Sequence, residues 1–251
     1  QPVAARSGSR LNLSRGAGLA VLGVLLILAG RVMSLLADVP EVPMPLAFVV
    51  PLFGILFGPW VGGVSGLFGY ALVLTLWSRG EDMVLAPVGA VAGLIMGIVP
   101  AWLVKKPRNW MAVMGTGIVA SVLWALAFAT GLGMVFGAWP DFLQIAIDGL
   151  LLVLPANVVF LPFFAHGLVR AKARWYGVLG IGIAVSAIWV VLAGVSGAIR
   201  YRHLPWMWEI GLGEVTLYTL LVVLPVSLVL IPLLAFWLAG SVRRGRLYWR
   251  G

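Results

Sequence analysis

Cysteine is absent from the 251-residue chain, which excludes disulfides, thiolate metal sites and cysteine nucleophiles. Histidine is scarce as well: His166 and His203 leave too little for a haem or zinc centre. Charged residues make up 10% of the chain, against about 25% in an ordinary soluble domain. Enzyme signatures are missing too, with no G-x-S-x-G, H-E-x-x-H, D-D-x-x-D or Walker-type stretch. No enzymatic activity, metal or cofactor is therefore expected.

What remains is apolar. Hydrophobic residues form 62% of the sequence, more than a soluble fold of this size can hide. The apolar runs are continuous rather than alternating, which points to an all-α polytopic helical bundle and away from a barrel. Eight runs are expected to cross the membrane: Ala17–Ala37, then 46–58, 61–78, 84–104, 110–137, 142–168, 176–198 and 215–240. The second is short and expected to tilt or break at Pro51. Tryptophans mark the span ends at Trp60, Trp77, Trp102, Trp110, Trp139, Trp175, Trp206 and Trp208. Trp124, Trp189 and Trp237 lie deeper.

The net charge of +9 invites a nucleic-acid partner, but its placement argues for membrane orientation instead. Arg6, Arg10 and Arg15 precede the first run, and Lys105, Lys106 and Arg108 follow the fourth. Arg170, Lys172 and Arg174 follow the sixth; Arg243, Arg244, Arg246 and Arg250 follow the eighth. Positive-inside orientation then puts both termini in the cytoplasm of a cell with the chain in its inner (plasma) membrane. Asp38, Glu41, Glu81, Asp82, Asp141, Glu209 and Glu214 fall on the outer side.

The last two runs look like a copy of the preceding two. Gly115–Trp124 (GTGIVASVLW) matches Gly180–Trp189 (GIGIAVSAIW), and Leu151–Ala165 matches Leu221–Ala235 with Pro155/Pro225 and Pro162/Pro232 in register. The expected organisation is a basic N-terminal segment (1–16), a six-helix core (17–174), an appended hairpin (175–242) and a basic tail (243–251). The hairpin carries no deep charge and is expected to be peripheral. Gly89, Gly93 and Gly97, with Gly58, Gly62, Gly66 and Gly69, form flat faces that suit internal helix packing. Gly16, Ala20 and Gly23 on the first helix suit a partner instead.

Polar residues inside a span are expensive and draw attention. Arg31 and Asp148 lie at matched depth from the outer side, so either they pair, holding helix 1 against helix 6, or they share a ligand. Gln144 precedes Asp148 by one turn on the same face. Asn157 follows the helix-breaking Pro155 and is expected to bond the carbonyl that proline frees. With Asp38, Glu41, Trp77, Arg79, Trp124, Trp139 and Asp141, these residues would form an aromatic-walled cup open to the outside.

Two segments carry a family likeness. Pro51–Leu72 (PLFGILFGPWVGGVSGLFGYAL) resembles the glycine-rich hairpin of the substrate-binding S components of energy-coupling factor transporters. Leu154–Phe160 (LPANVVF) is similar to the Pro-x-Asn motif in the last helix of those proteins. Tyr70 stands where many members carry Asp, and Phe160 where Lys often occurs. The resemblance covers about residues 17–170 and implies a six-helix core that captures a vitamin-type small molecule. It implies partners too: a transmembrane coupling subunit, met by small residues of helix 1, and ATPases. A docking subunit of a larger complex and a membrane sensor domain stay open as alternatives.

Overall fold

The computed structural model describes residues 13–36, 46–77, 83, 85–104, 109–167, 183–188, 191, 228–229, 232–237 and 240. Six α-helices follow one another: α1 (Leu13–Leu36), α2 (Val49–Phe57), α3 (Pro59–Trp77), α4 (Leu85–Leu103), α5 (Trp110–Phe136) and α6 (Phe142–Pro162). A π-helical turn, Phe163–Gly167, continues α6. Residues 183–188 and 232–237 are helical, and no strand occurs among the described residues. Among the described residues, four helices are long and apolar enough to cross a bilayer: Pro59–Leu76, Leu85–Leu103, Trp110–Phe136 and Phe142–Ala165. The described part of the chain is all-helical, as a membrane protein's is.

Local chemistry sets the helix ends. Asn109 caps α5, its side-chain oxygen accepting from the Met111 amide at 3.0 Å. Gly137 ends α5 in the left-handed region (φ 65°), where a side chain would be strained. Between α2 and α3 the turn is a single residue, Gly58, with φ 104°. Pro59 then opens α3 at a position whose missing amide costs nothing. Gly58 is thus a turn residue rather than part of a packing face.

The expected break at Pro51 does not occur. Pro51 lies in the first turn of α2, where its nitrogen has no intrahelical acceptor to lose, and Leu52 donates normally to Phe48 at 3.0 Å. At nine residues α2 is only about 14 Å long, less than half a bilayer core. Every residue of it is buried. A helix with an end at membrane depth is tolerated only inside protein, and α2 is enclosed accordingly.

Glycine does the packing. α3 and α4 run antiparallel with Gly66 beside Gly93 and Gly62 beside Gly97, and a β-carbon on any of the four would strike the opposite backbone. Gly54 of α2 joins the same junction against Gly97. This is the internal packing that the spacing implied. α1 lies along α3, where the Ser65 hydroxyl donates to the Ala20 carbonyl at 3.2 Å. A β-carbon on Gly23 would stand 2.8 Å from the Ser65 β-carbon. Ala20 and Gly23 therefore serve α3 rather than a partner, and Gly16 alone of the three faces open space.

The appended hairpin, where described, is not peripheral. Ala235 is 0% exposed, Leu234 is buried, and the Trp237 ring stacks on Phe53 of α2 with centroids 6.3 Å apart. On another side of α2, Phe48 lies 5.0 Å from both Phe160 and Phe164. Phe164 and Ala165 are the sequence counterparts of Leu234 and Ala235, and all four are buried. Equivalent ends of both hairpins thus pack into the core around α2.

Tryptophan exposure agrees with headgroup placement. Trp60 (81%), Trp102 (67%) and Trp110 gather at one end of the bundle, and Trp139 lies at the other. Trp175, Trp206, Trp208 and the side chain of Trp77 lie outside the described residues.

Candidate functional site

Asn157 on α6 is 0% exposed, and its amide nitrogen donates to the Ser121 hydroxyl of α5 at 2.8 Å. Ser121 in turn donates to the Gly117 carbonyl at 2.8 Å, one turn back on its own helix. Close approach of the two helices permits this: a β-carbon on Gly117 would stand 2.8 Å from the Asn157 carbonyl oxygen. The expected bond from Asn157 to a carbonyl freed by Pro155 is not made. A ready acceptor across the helix interface takes the amide instead.

One turn beyond Ser121, Trp124 is 1% exposed. Its ring stacks on Phe128 (5.2 Å, 7°) and meets Tyr70 of α3 at 5.3 Å. The Tyr70 hydroxyl reaches the Met96 sulfur of α4 at 3.5 Å, a weak acceptor. Two buried polar atoms have no hydrogen-bond partner among the described residues: the indole nitrogen of Trp124, whose ring stands 3.3 Å from a β-carbon built on Gly149, and the side-chain oxygen of Asn157, eight residues further along α6. Buried polar groups are nearly always satisfied, so each of these two calls for an explanation. A bound molecule offering the complementary groups supplies one.

The remaining candidates do not join them. Trp139 packs over Gly133, where a β-carbon would stand 2.9 Å from its ring, and stacks on Phe142 at 6.1 Å. Asp141, at the start of α6, makes no side-chain cap, and the exposed Gln144 donates to Asp148 at 3.1 Å. Asp148 precedes Asn157 by nine residues, about 13 Å along the helix axis. Arg31 is buried at 3% exposure on α1, which packs mainly on α3 and has no extensive contact with α6. The carboxylate of Asp148 is engaged by Gln144 rather than Arg31, so the pairing of helix 1 with helix 6 is not the arrangement found. Asp38, Glu41, Arg79 and the Trp77 side chain lie outside the described residues. Of the cup, the structure buries Trp124 and Asn157 separately, Trp124 against Gly149 and Asn157 about 12 Å further along α6, and leaves Trp139, Asp141, Gln144 and Asp148 toward the start of α6.

Ser121, Tyr70 and Met96 were not among the site residues expected from sequence. Ser121 carries a signal, since it is matched by Ser186 in the repeat, and both are 0% exposed. Removing its hydroxyl tests the layer. Ser121→Ala leaves the Asn157 amide unpaired and should cost about 1–3 kcal/mol, whereas Ser121→Ala with Asn157→Leu should recover most of it. Melts of these two variants and of Asn157→Leu alone in detergent check this; a double variant as unstable as the sum of the singles would contradict it.

Compared with known protein families, curated proteins and solved structures, the chain matches none.

Proposed function

We propose that the chain is the substrate-capturing membrane subunit of a small-molecule transporter, of the S-component type, working with a coupling subunit and ATPases. The observation that carries this reading is a pair of buried polar atoms without hydrogen-bond partners among the described residues, the Trp124 donor on α5 and the Asn157 acceptor on α6. Lipid offers no reason to retain such groups, because an apolar core would be cheaper. The likeness of Pro51–Leu72 and Leu154–Phe160 to S components supports the same assignment. The distribution of lysine and arginine supports eight spans, with both termini on the cytoplasmic side of the plasma membrane. In this reading α2 is the helical part of the second crossing, too short to cross alone and enclosed by protein. Gly16 and the outward face of α1 are where the coupling subunit docks.

Purification of the tagged chain from its native membranes tests the assignment. A membrane coupling protein and nucleotide-binding subunits should accompany it in fixed proportion. If the chain purifies alone, and vesicles holding it accumulate no small molecule on ATP addition beyond vesicles lacking it, the transport reading fails.

A further inference from the structure

Two elements of the bundle touch the same ring, Phe53 of α2. A β-carbon on Gly23 of α1 would stand 3.1 Å from that ring, and the Trp237 ring stacks on it with centroids 6.3 Å apart. Both elements run out at the Trp60 end. α1 is antiparallel to α3, with Gly23 beside Ser65 and Ile27 beside Gly69, so its first turn, which holds Arg15, lies toward Trp60. α6 heads for the same end, since Gly149 lies beside Trp124 and Asn157 beside Gly117 of the antiparallel α5. Residues 232–237 repeat residues 162–167 in sequence and in burial, so they share that direction. Arg15 stands about 12 Å along α1 from Gly23. Arg243 and Arg244 follow Gly240, the last described residue, by three and four positions, a reach of at most about 14 Å.

The charge at these two outlets has one sign. Arg6 and Arg10 precede α1, Arg15 lies in its first turn, and Arg243, Arg244, Arg246 and Arg250 follow Gly240. No Asp or Glu occurs in residues 1–37, 46–77 or 215–251, so none of the elements meeting at Phe53 supplies a counter-charge. The described carboxylates, Asp141 and Asp148, belong to the start of α6, at the opposite end of the bundle. A cluster of like charge draws anions from its surroundings. Depth selects their source: Trp60, 81% exposed at this end, marks the headgroup region of a bilayer.

We infer that Arg15 and the arginines following Gly240 form one site for the headgroup of an anionic phospholipid. The inference does not depend on the capture reading. Each cation beside anionic lipid is worth about fivefold in binding, so three acting on one headgroup give a strong preference over zwitterionic lipid. The chain carries its own control. Lys105, Lys106 and Arg108 bring the same charge to the same end, but between α4 and α5, with which α1 has no extensive contact.

The test uses the full chain, delipidated in mild detergent and mixed with equal amounts of phosphatidylglycerol and phosphatidylcholine. Bound lipid is read by native mass spectrometry, after size exclusion has shown each variant to be monodisperse. The wild type should retain one phosphatidylglycerol at least about tenfold in preference to phosphatidylcholine. Arg15→Gln/Arg243→Gln/Arg244→Gln should lose that preference, and Lys105→Gln/Lys106→Gln/Arg108→Gln should keep it. Should the first triple variant fail to fold, Arg15→Gln and Arg244→Gln are read singly, each with an expected loss of about fivefold. A wild type that binds the two lipids alike, or site variants that keep the preference, overturns the inference. Equal loss in both triple variants overturns it as well, because surface charge alone would then account for the binding.

Discussion

Replacing Gly93 by alanine should destabilise the protein by about 3 kcal/mol or more, the upper end of the usual cost of overpacking. The added methyl would run into the carbonyl of Gly66, whose carbon would lie 2.7 Å away, and into the Tyr70 ring at 2.8 Å. The first obstacle is backbone on a neighbouring helix, so relief requires α3 and α4 to separate along their whole contact. Gly66, Gly62 and Gly97 are under the same constraint, each facing main-chain atoms across the junction. Gly115→Ala is the matched control. Nothing lies within 4 Å of a β-carbon at that position, and alanine is the better helix former by about 1 kcal/mol. Thermal melts in one detergent should place Gly93→Ala far below the wild type and Gly115→Ala level with it or above. Equal melting of the two variants would show that α3 and α4 are not held by backbone contact.

Among the described residues, helices were most legible where an apolar run is bounded by a chemical stop. Asn109 begins α5 and Gly137 ends it, so the expected 110–137 and the observed Trp110–Phe136 nearly coincide. Side-chain direction was far less legible. A helix in lipid is apolar on the face that meets lipid and apolar on the face that meets protein, so periodicity does not separate the two. Trp124 therefore read as the wall of an outward cup when it is in fact among the most buried side chains of the molecule. The same ambiguity disguised α2, whose short run reads as a thin span although it is a half-length helix wrapped by protein on every side. The glycine ladders escaped this difficulty, because a small residue repeated every four positions has a geometric consequence whatever solvent surrounds it. Arg31 and Asp148 show the limit of depth as an argument: equal depth on two helices places them in one layer, not on one interface.

Deleting everything after Arg174 should prevent the remaining helices from forming a stable bundle. Sequence alone favoured the opposite outcome, since the final hairpin has no deep charge and copies a unit already present. Packing decides the matter through α2. A helix of about 14 Å cannot reach both faces of a hydrocarbon layer about 30 Å thick, so at least one of its ends lies at membrane depth. Backbone groups at such an end are costly wherever lipid can reach them. Residues 232–237 cover one side of α2: Leu234 and Ala235 belong to the buried core, and Trp237 stacks on Phe53. Truncation strips that cover and leaves α2 facing acyl chains or detergent, with the dispersion contacts of Trp237 lost as well. A milder variant isolates the contact. Trp237→Ala should cost about 2–4 kcal/mol, below a fully buried tryptophan because the ring is only partly enclosed. Trp60→Ala, at a ring 81% exposed, should change stability by less than about 0.5 kcal/mol. Size exclusion and melting of the truncated chain and both tryptophan variants give the answer. A monodisperse truncated protein that melts like the full chain would mean that α1, α3, α4 and α6 enclose α2 sufficiently without the second hairpin.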